Sequence, residues 1–453
     1  PVLLASENWD DHDRSEKYTA LALGRAYLDS LDPNAIIFTI GDNDTFPLWY
    51  LQEVEGYRTD VRVVCTTLLQ AEWYIDQMKV KSYESDPLKI RFNHRQYSGE
   101  NLYYAALAPT VDERFDINTI LEFIASDRPE SKMETESGML LTRIPTNKFS
   151  LPVNKEKVLK NGIVSQKFAN DIVSEIPIDV KANALYRMRI IMYDIIANNN
   201  WERPVYFTGG SITDEDFLWM KDYLQLNGLV YKLVPVKAKR MYDGHPLYIG
   251  SIDTEKMYKT VNNWYWGNFG SPNIYHDPET RKNAMNFRIN LVRLAEQLVE
   301  EGKTDKAKNV VDLAMKNFPI DKYGNYFTVE PFADLYYTLG ENKKADDIAT
   351  KLFTKAEEDL NFYKGMKLNE QQDFASEIIF AFETAYRIID NCEMHKDTAT
   401  VAALNKRIAP FEKYFNRYLN AYKQQQQSEA EMMQKEEEML QDSTAQTIDS
   451  TQQ

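Results

Sequence analysis

Four short stretches of this 453-residue chain gather oxygen-bearing side chains at spacings that suit ligand or cation binding. They are ENWDDHD, with Asp10, Asp11, His12 and Asp13; GDNDT, with Asp42, Asn43, Asp44 and Thr45; QAEW, with Glu72 and Trp73; and GGSITDED, with Gly209, Gly210, Ser211 and Asp214. Carboxylates and amides at this density suit a hard cation such as Ca²⁺ or Mg²⁺, or sugar hydroxyls gripped by bidentate contacts. Asp42 and Asp44 are the candidate metal pair. The same residue types are also ordinary turn formers and helix N-caps. Asp44 or Thr45 would cap a helix over FPLWYLQEV, with Pro47 in its first turn. The Gly209-Gly210 pair would let a phosphate approach a helix N-terminus.

A second candidate surface is aromatic. The stretch NNWYWGNFGSPNIYHDP concentrates Trp264, Tyr265, Trp266, Phe269 and Tyr275 among Gly, Asn and Pro. Flat rings in a loop can stack on sugars or peptide side chains; they can equally form a wedge between two packed domains. Exposure of the two tryptophans separates these readings.

Several familiar chemistries have no carrier. There is no GxGxxG after a strand, no GxxxxGK[ST], no GxSxG and no HExxH, and none of the five histidines pairs at i, i+4. The two cysteines, Cys65 and Cys392, lie far apart, which excludes a disulfide framework or a CxxC metal site. Net charge is −16, so phosphate backbones are repelled and nucleic acid is not the expected partner. No apolar run is long enough to span a membrane. The chain opens on Pro1, which reads as a piece of something longer.

Positioning the acids requires a sheet. Short apolar runs, VLLA (2–5), AIIFTI (35–40) and VRVVCTTLL (61–69), alternate with helical patterns over EKYTALALGRAYLDSL and FPLWYLQEVEG. That alternation predicts a mostly parallel sheet with crossover helices, its strands covered on both faces. The pattern returns as helix ALYRMRIIMYDIIANNN, strand PVYFTG (204–209), a helix around DEDFLWMKDYLQLNG and strand LVYKLVPV (229–236). Ligands of such sheets sit beyond the carboxyl ends of the strands, where all four acidic stretches would meet. An insertion over about 80–180 holds a helical segment, DINTILEFIAS, and an alternating run, KFSLPV, and reads as a lid or side lobe.

All seven tryptophans precede residue 267, and the rest of the chain reads as helix after helix. The expected division is an α/β domain over 1–266, helical hairpins over 267–423 and an acidic, Gln-rich disordered tail over 424–453. In the helical part, Leu291, Leu294, Ala295, Leu298, Gly302, Ala307, Ala314 and Pro319 fit tetratricopeptide spacing. Phe332, Ala333, Tyr336, Gly340 and Ala345 repeat it, and a third helical pair over 370–420 reads as a cap.

With SENWDDHDRS, GDNDTFPLWYLQEVEGYRTDVRVV, AEWYIDQM, KFSLPVNKEKVLKNGIV and ANNNWERPVYF in place, the chain resembles the C-terminal region of bacterial multi-spanning membrane proteins. These belong to a domain-of-unknown-function group akin to protein O-mannosyltransferases, of GT-C glycosyltransferase type. The resemblance implies membrane helices upstream, a lipid-linked sugar donor and a location on the extracytoplasmic, periplasmic side. The catalytic acid of such enzymes is expected in the membrane half, so the resemblance transfers no catalytic residue onto this chain. It implies an accessory domain that binds an acceptor, a glycan or a protein partner. Two other readings stay open: an interaction scaffold built on the repeats, and a metal-dependent hydrolase using the acidic stretches.

Overall fold

The structure is a computed structural model describing residues 2–126, 128–134, 138, 140–209, 213–238, 248–323 and 326–421; of Asp10, Asp11, Tyr326 and Phe327 it describes the backbone only. The acidic tail over 424–453 and Gly210 lie outside the described residues. The chain divides into two compact units, Pro1–Phe318 and Pro319–Gln453.

In the first unit, helix α1 (Thr19–Asp29) leads into strand β1 (Ile36–Thr39), helix α2 (Asp42–Glu53) and strand β2 (Arg62–Cys65). Every residue of β1 and β2 is buried, as their unbroken apolar runs require. Helix α3 (Glu72–Met78) follows, and after the insertion come α4 (Arg187–Asn199) and β3 (Val205–Thr208). Strand β3 pairs parallel with β1 through Ile36↔Val205, and β1 pairs parallel with β2 through Ile36↔Arg62.

Beyond β3 the expected helix over DEDFLWMKDYLQLNG gives way to two short 3-10 turns, Glu215–Phe217 and Lys221–Tyr223. A hairpin of β4 (Leu224–Asn227) and β5 (Val230–Leu233) follows them, with Gly228 at φ 62° in its turn. Asn-Gly between two apolar runs is the hairpin signal, and it outweighs the helical period here. A short β6 (Ser251–Ile252) completes the order β6-β4-β5-β3-β1-β2. Among the described residues three of its five pairings are parallel and two antiparallel. The α/β class stands, with a mixed sheet.

VLLA is not a strand. Val2–Glu7 forms a helix with no buried residue, because a four-residue apolar run does not distinguish strand from helix without a neighbour to pair with. The insertion folds into two further sheets. One orders Lys132–Glu134, Leu140–Ile144, Tyr104–Leu107 and Ala184–Tyr186; the other orders Phe115–Asp116, Lys148–Pro152 and Glu175–Asp179. Phe149 and Leu151 of KFSLPV are buried, but so is Ser150 between them, and Val153 is only half-buried, so the strand is covered more fully than a one-sided alternation predicts. Arg91 pins this lobe to α4 through the buried carboxylate of Asp194, whose second oxygen accepts the Arg91 N–H at 2.7 Å. At the amino edge of the sheet, Asp32 accepts from Lys232 and Lys256 at 2.6 Å each and from the Tyr206 hydroxyl at 2.7 Å. Paired charges tolerate such burial; a lone one would not.

Helix α5 (Thr254–Asn262) leads to the hairpin of α6 (Pro278–Glu300) and α7 (Thr304–Asn317), which belongs to this first unit. Leu291, Leu294, Ala295, Leu298, Ala307 and Ala314 are all fully buried, and Gly302 turns between the helices at φ 72°. In the second unit α8 (Tyr326–Thr338) and α9 (Asn342–Lys364) repeat this plan around Gly340 at φ 75°, burying Phe332, Ala333, Tyr336 and Ala345. The third hairpin, α10 (Ala375–Met394) and α11 (Thr398–Tyr414), turns on Lys396 at φ 60°.

Candidate functional site

Where β1 ends, Gly41 adopts φ 75° and becomes the N-cap of α2, so GDNDT is the first turn of a helix and no side chain of it serves as the cap. Thr45 ties that turn to the strand: its hydroxyl donates to the Gly41 carbonyl at 2.7 Å and shares a 2.7 Å hydrogen bond with Thr39. The side of α2 that carries Asp42, Asn43, Phe46 and Pro47 then faces a cavity of about 400 Å³ at the carboxyl edge of the sheet. Ligands of α/β sheets gather at this edge because loops and helix starts converge there. The starts of α1, α2 and α6 all reach this cavity, through Thr19, Asp42 and Pro278's neighbours Asp277 and Glu279.

Its chemistry is mixed. Leu23, Pro47 and Phe269 supply apolar wall, and Phe46, half exposed, stands at the mouth with its ring stacked on Trp49 at 5.6 Å. Lys17 forms an ion pair with Asp277, which also accepts the Thr280 N–H at 2.8 Å and so caps α6. Burial opposes the charge on Asp277, yet the lysine and the N–H donor together hold its carboxyl down at about 2. Asn43 reaches Glu279 at 3.5 Å. Asp42 is exposed, and its side chain enters no hydrogen bond or ion pair among the described residues. An apolar wall with a few convergent acceptors and amides suits a neutral, hydroxyl-rich ligand or a polar peptide segment.

The structure separates the two proposed metal ligands. Two positions apart on a helix, Asp42 and Asp44 point to different sides. Asp44 turns inward to accept the Thr208 hydroxyl at 2.7 Å and the Tyr27 hydroxyl at 3.4 Å. Burial raises its carboxyl above the ordinary value, against the pull of those hydrogen bonds. Among the described residues no group of three or more His, Cys, Asp and Glu could hold a metal ion; the side chains of Asp10 and Asp11 lie outside them.

The other sequence candidates scatter. His12 sits on an exposed helical turn, Trp9–His12, with Nδ1 2.9 Å from the Asn8 carbonyl. A strand before it was the reason to place Asp10, Asp11 and His12 at the sheet edge, and that strand is a helix. Gly209 has a packing role: a Cβ there would lie 2.8 Å from the Tyr231 ring. Trp264 is buried and Trp266 half-buried, their rings 5.3 and 6.0 Å from that of Phe287 on α6. Phe269 and Phe318 complete the cluster. The aromatic stretch therefore acts as a wedge that seats α6 on the sheet, with Trp264 fully engaged in it and Trp266 partly so.

Lys17, Asp277, Glu279 and Asn283 line the cavity without having been singled out from the sequence. One signal was present: Asp277-Pro278-Glu279 is a helix start, an N-cap acid followed by proline and an acid in the first turn.

An α/β unit with a mixed sheet and a cavity at its carboxyl edge, followed by helical hairpins, defines the architectural class of this chain. Within that class the chain belongs to the TMEM260-associated domain 2 family, whose model matches residues 20–256. The family is linked to TMEM260, a protein O-mannosyltransferase-like protein, in keeping with the coarse part of the resemblance. No curated protein and no solved structure matches the chain. Among the described residues no helix is long and apolar enough to cross a membrane.

Proposed function

We propose that this chain is the extracytoplasmic accessory domain of a membrane-bound, protein O-mannosyltransferase-like glycosyltransferase. In this reading the sheet-edge cavity holds part of the acceptor or its glycan, and the tetratricopeptide-like hairpins of the second unit receive a protein partner. The observation that carries it is the sheet-edge cavity, to which the family-matched region contributes Asp42, Asn43, Phe46 and Pro47 and the following segment contributes Phe269, Asp277 and Glu279. No catalytic residue is assigned to the chain. Titrating it with mannosylated and unmodified Ser/Thr peptides tests the reading. Asp42→Ala and Asn43→Ala are expected to weaken binding about tenfold each, the worth of one lost polar contact. Binding that survives both substitutions unchanged removes the sheet-edge cavity from the acceptor path.

One observation favours the scaffold reading as a second possibility for the second unit. Phe362 of α9 is 64% exposed and Met394 of α10 is 70% exposed, apolar surface of a kind that partner binding covers. Partner capture lost on Phe362→Ser but kept on Asp42→Ala would make the hairpins the working part.

A further inference from the structure

A second cavity lies outside the sheet edge, in the inserted lobe. It measures about 610 Å³ and opens against one face of the four-stranded side sheet. Phe92, Leu102 and Ile124 form apolar lining, Tyr103 and Tyr104 an aromatic wall, and Arg95, Glu100 and Asn101 polar side chains around them.

The loop that presents Tyr103 is held with unusual force. Arg187, 3% exposed, spends its guanidinium on three carbonyls of the surrounding segments: Gln70 at 2.6 Å, Gly99 at 2.7 Å and Asn101 at 2.8 Å. The Tyr103 carbonyl accepts two more bonds, from Gln70 Nε2 at 2.9 Å and from the Arg187 N–H at 3.0 Å. Leu102 is buried at φ 51°, a left-handed conformation that a leucine adopts only where its surroundings enforce it. These bonds hold the backbone of the loop, while the Tyr103 ring leaves the residue 44% exposed. That ring is braced edge-on by Tyr186 at 6.2 Å, and Tyr104 pairs across the strands with the same Tyr186. The Arg187 guanidinium lies over the ring at 5.8 Å from its centroid, and a held loop that leaves the rest of an aromatic ring in solvent is a preorganised stacking surface.

The polar groups around it remain available. The side chains of Arg95 and Glu100 make no hydrogen bond among the described residues and stand exposed beside the ring. Asn101 commits its Nδ2 to the Arg95 carbonyl at 3.0 Å, which leaves its Oδ1 as an acceptor. A planar fork of donors, a carboxylate and an amide beside an aromatic face can each engage the vicinal hydroxyls of a sugar ring whose C–H face lies on the tyrosine. Phosphate is a poorer match: of the two cations in the lining Lys132 donates to the Thr142 hydroxyl at 3.1 Å, Arg95 has Glu100 in the same lining, and no long helix starts here.

We infer that the Tyr103 cavity of the inserted lobe is a saccharide-binding site for a neutral hexose unit, separate from the sheet-edge cavity and independent of what that cavity binds. Calorimetry and saturation-transfer NMR on the whole chain with mannotriose, cellotriose and chitotriose test it. At least one trisaccharide is expected to bind. Tyr103→Ala is expected to weaken it about tenfold or more, the loss of one stacking face, and Tyr103→Phe to retain it. Arg95→Ala is expected to weaken it and Asp42→Ala to leave it unchanged. The Tyr103 side chain is nearly half exposed, so an unshifted melting temperature in Tyr103→Ala separates lost binding from lost folding. The proposal is overturned if none of the three sugars binds the wild-type chain, or if Tyr103→Ala binds like wild type. Loss on Asp42→Ala alone overturns it as well and hands the sugar to the sheet-edge cavity.

Discussion

Asp277 lines the sheet-edge cavity and Asp44 turns inward behind it, and their surroundings pull their protons in opposite directions. Asp277 titrates at about 2 against an ordinary 3.8, so its contribution to stability is complete above the ordinary value and is lost as pH falls from there to about 2. Asp44 is raised by burial, so its contribution is complete below 3.8 and is lost as pH rises through its folded value. Melting curves between about pH 2 and pH 7 on wild type, Asp277→Asn and Asp44→Asn read both signs at once. Asn at 277 still accepts the Thr280 N–H but loses the ion pair with Lys17. The gap between that variant and wild type should close on acidification. Asp44→Asn, relieved of a buried charge, should gain on wild type as pH rises. Parallel curves for all three proteins would mean that neither carboxylate is held as the geometry implies.

At the scale of elements, the aromatic stretch before α6 decides how the helical hairpin meets the sheet. Trp264 fills the space over the β4–β5 turn so closely that a Cβ on Gly228 would lie 2.6 Å from its ring and 2.2 Å from the Ser30 hydroxyl. Gly228 is also at φ 62°, where an added side chain is strained whatever the room. Trp264→Ala should therefore cost about 3–5 kcal/mol in stability, as truncation of a buried large aromatic does. Gly228→Ala should destabilise through the same contact, and a denaturant titration of each checks this. A Trp264→Ala protein as stable as wild type would reopen the stacking-platform reading. Legibility in the sequence followed partner number. The strands buried on both faces and the amphipathic hairpins were readable, because apolar runs and small-residue spacing report their own burial. The β4–β5 hairpin was missed although Asn227-Gly228 announced it, because DEDFLWMKDY before it carries a helical period that tertiary packing overrides. Asp42 and Asn43 were legible as cavity residues, since strand order predicts the carboxyl edge. Lys17 and Asn283 were not, because they reach the cavity from elements far away in sequence. Tyr103 was hidden by its dependence on Arg187, a long-range anchor with no local pattern.

At the scale of the molecule, the chain holds two cores, and the first ends later than the loss of tryptophan suggests. Helices α6 and α7 pack within the Pro1–Phe318 unit: Asn290 donates to the Gly228 carbonyl at 2.9 Å, Arg293 to the Ile249 carbonyl at 2.7 Å, and Phe287 sits in the tryptophan cluster. A hairpin bound this way melts with the sheet, whereas α8 to α11 bury their apolar faces on one another. Calorimetry of the whole chain should resolve two transitions, because separate cores unfold separately unless a large apolar interface couples them. A chain ended at Phe318 should keep the transition of the first unit at nearly the same temperature. A chain ended at Trp266 should not fold, since it leaves the buried Trp264 without Phe269 and Phe287 to cover it. A cooperative, stable protein from that shorter chain would show that α6 and α7 are an addition to the sheet unit and not part of its core.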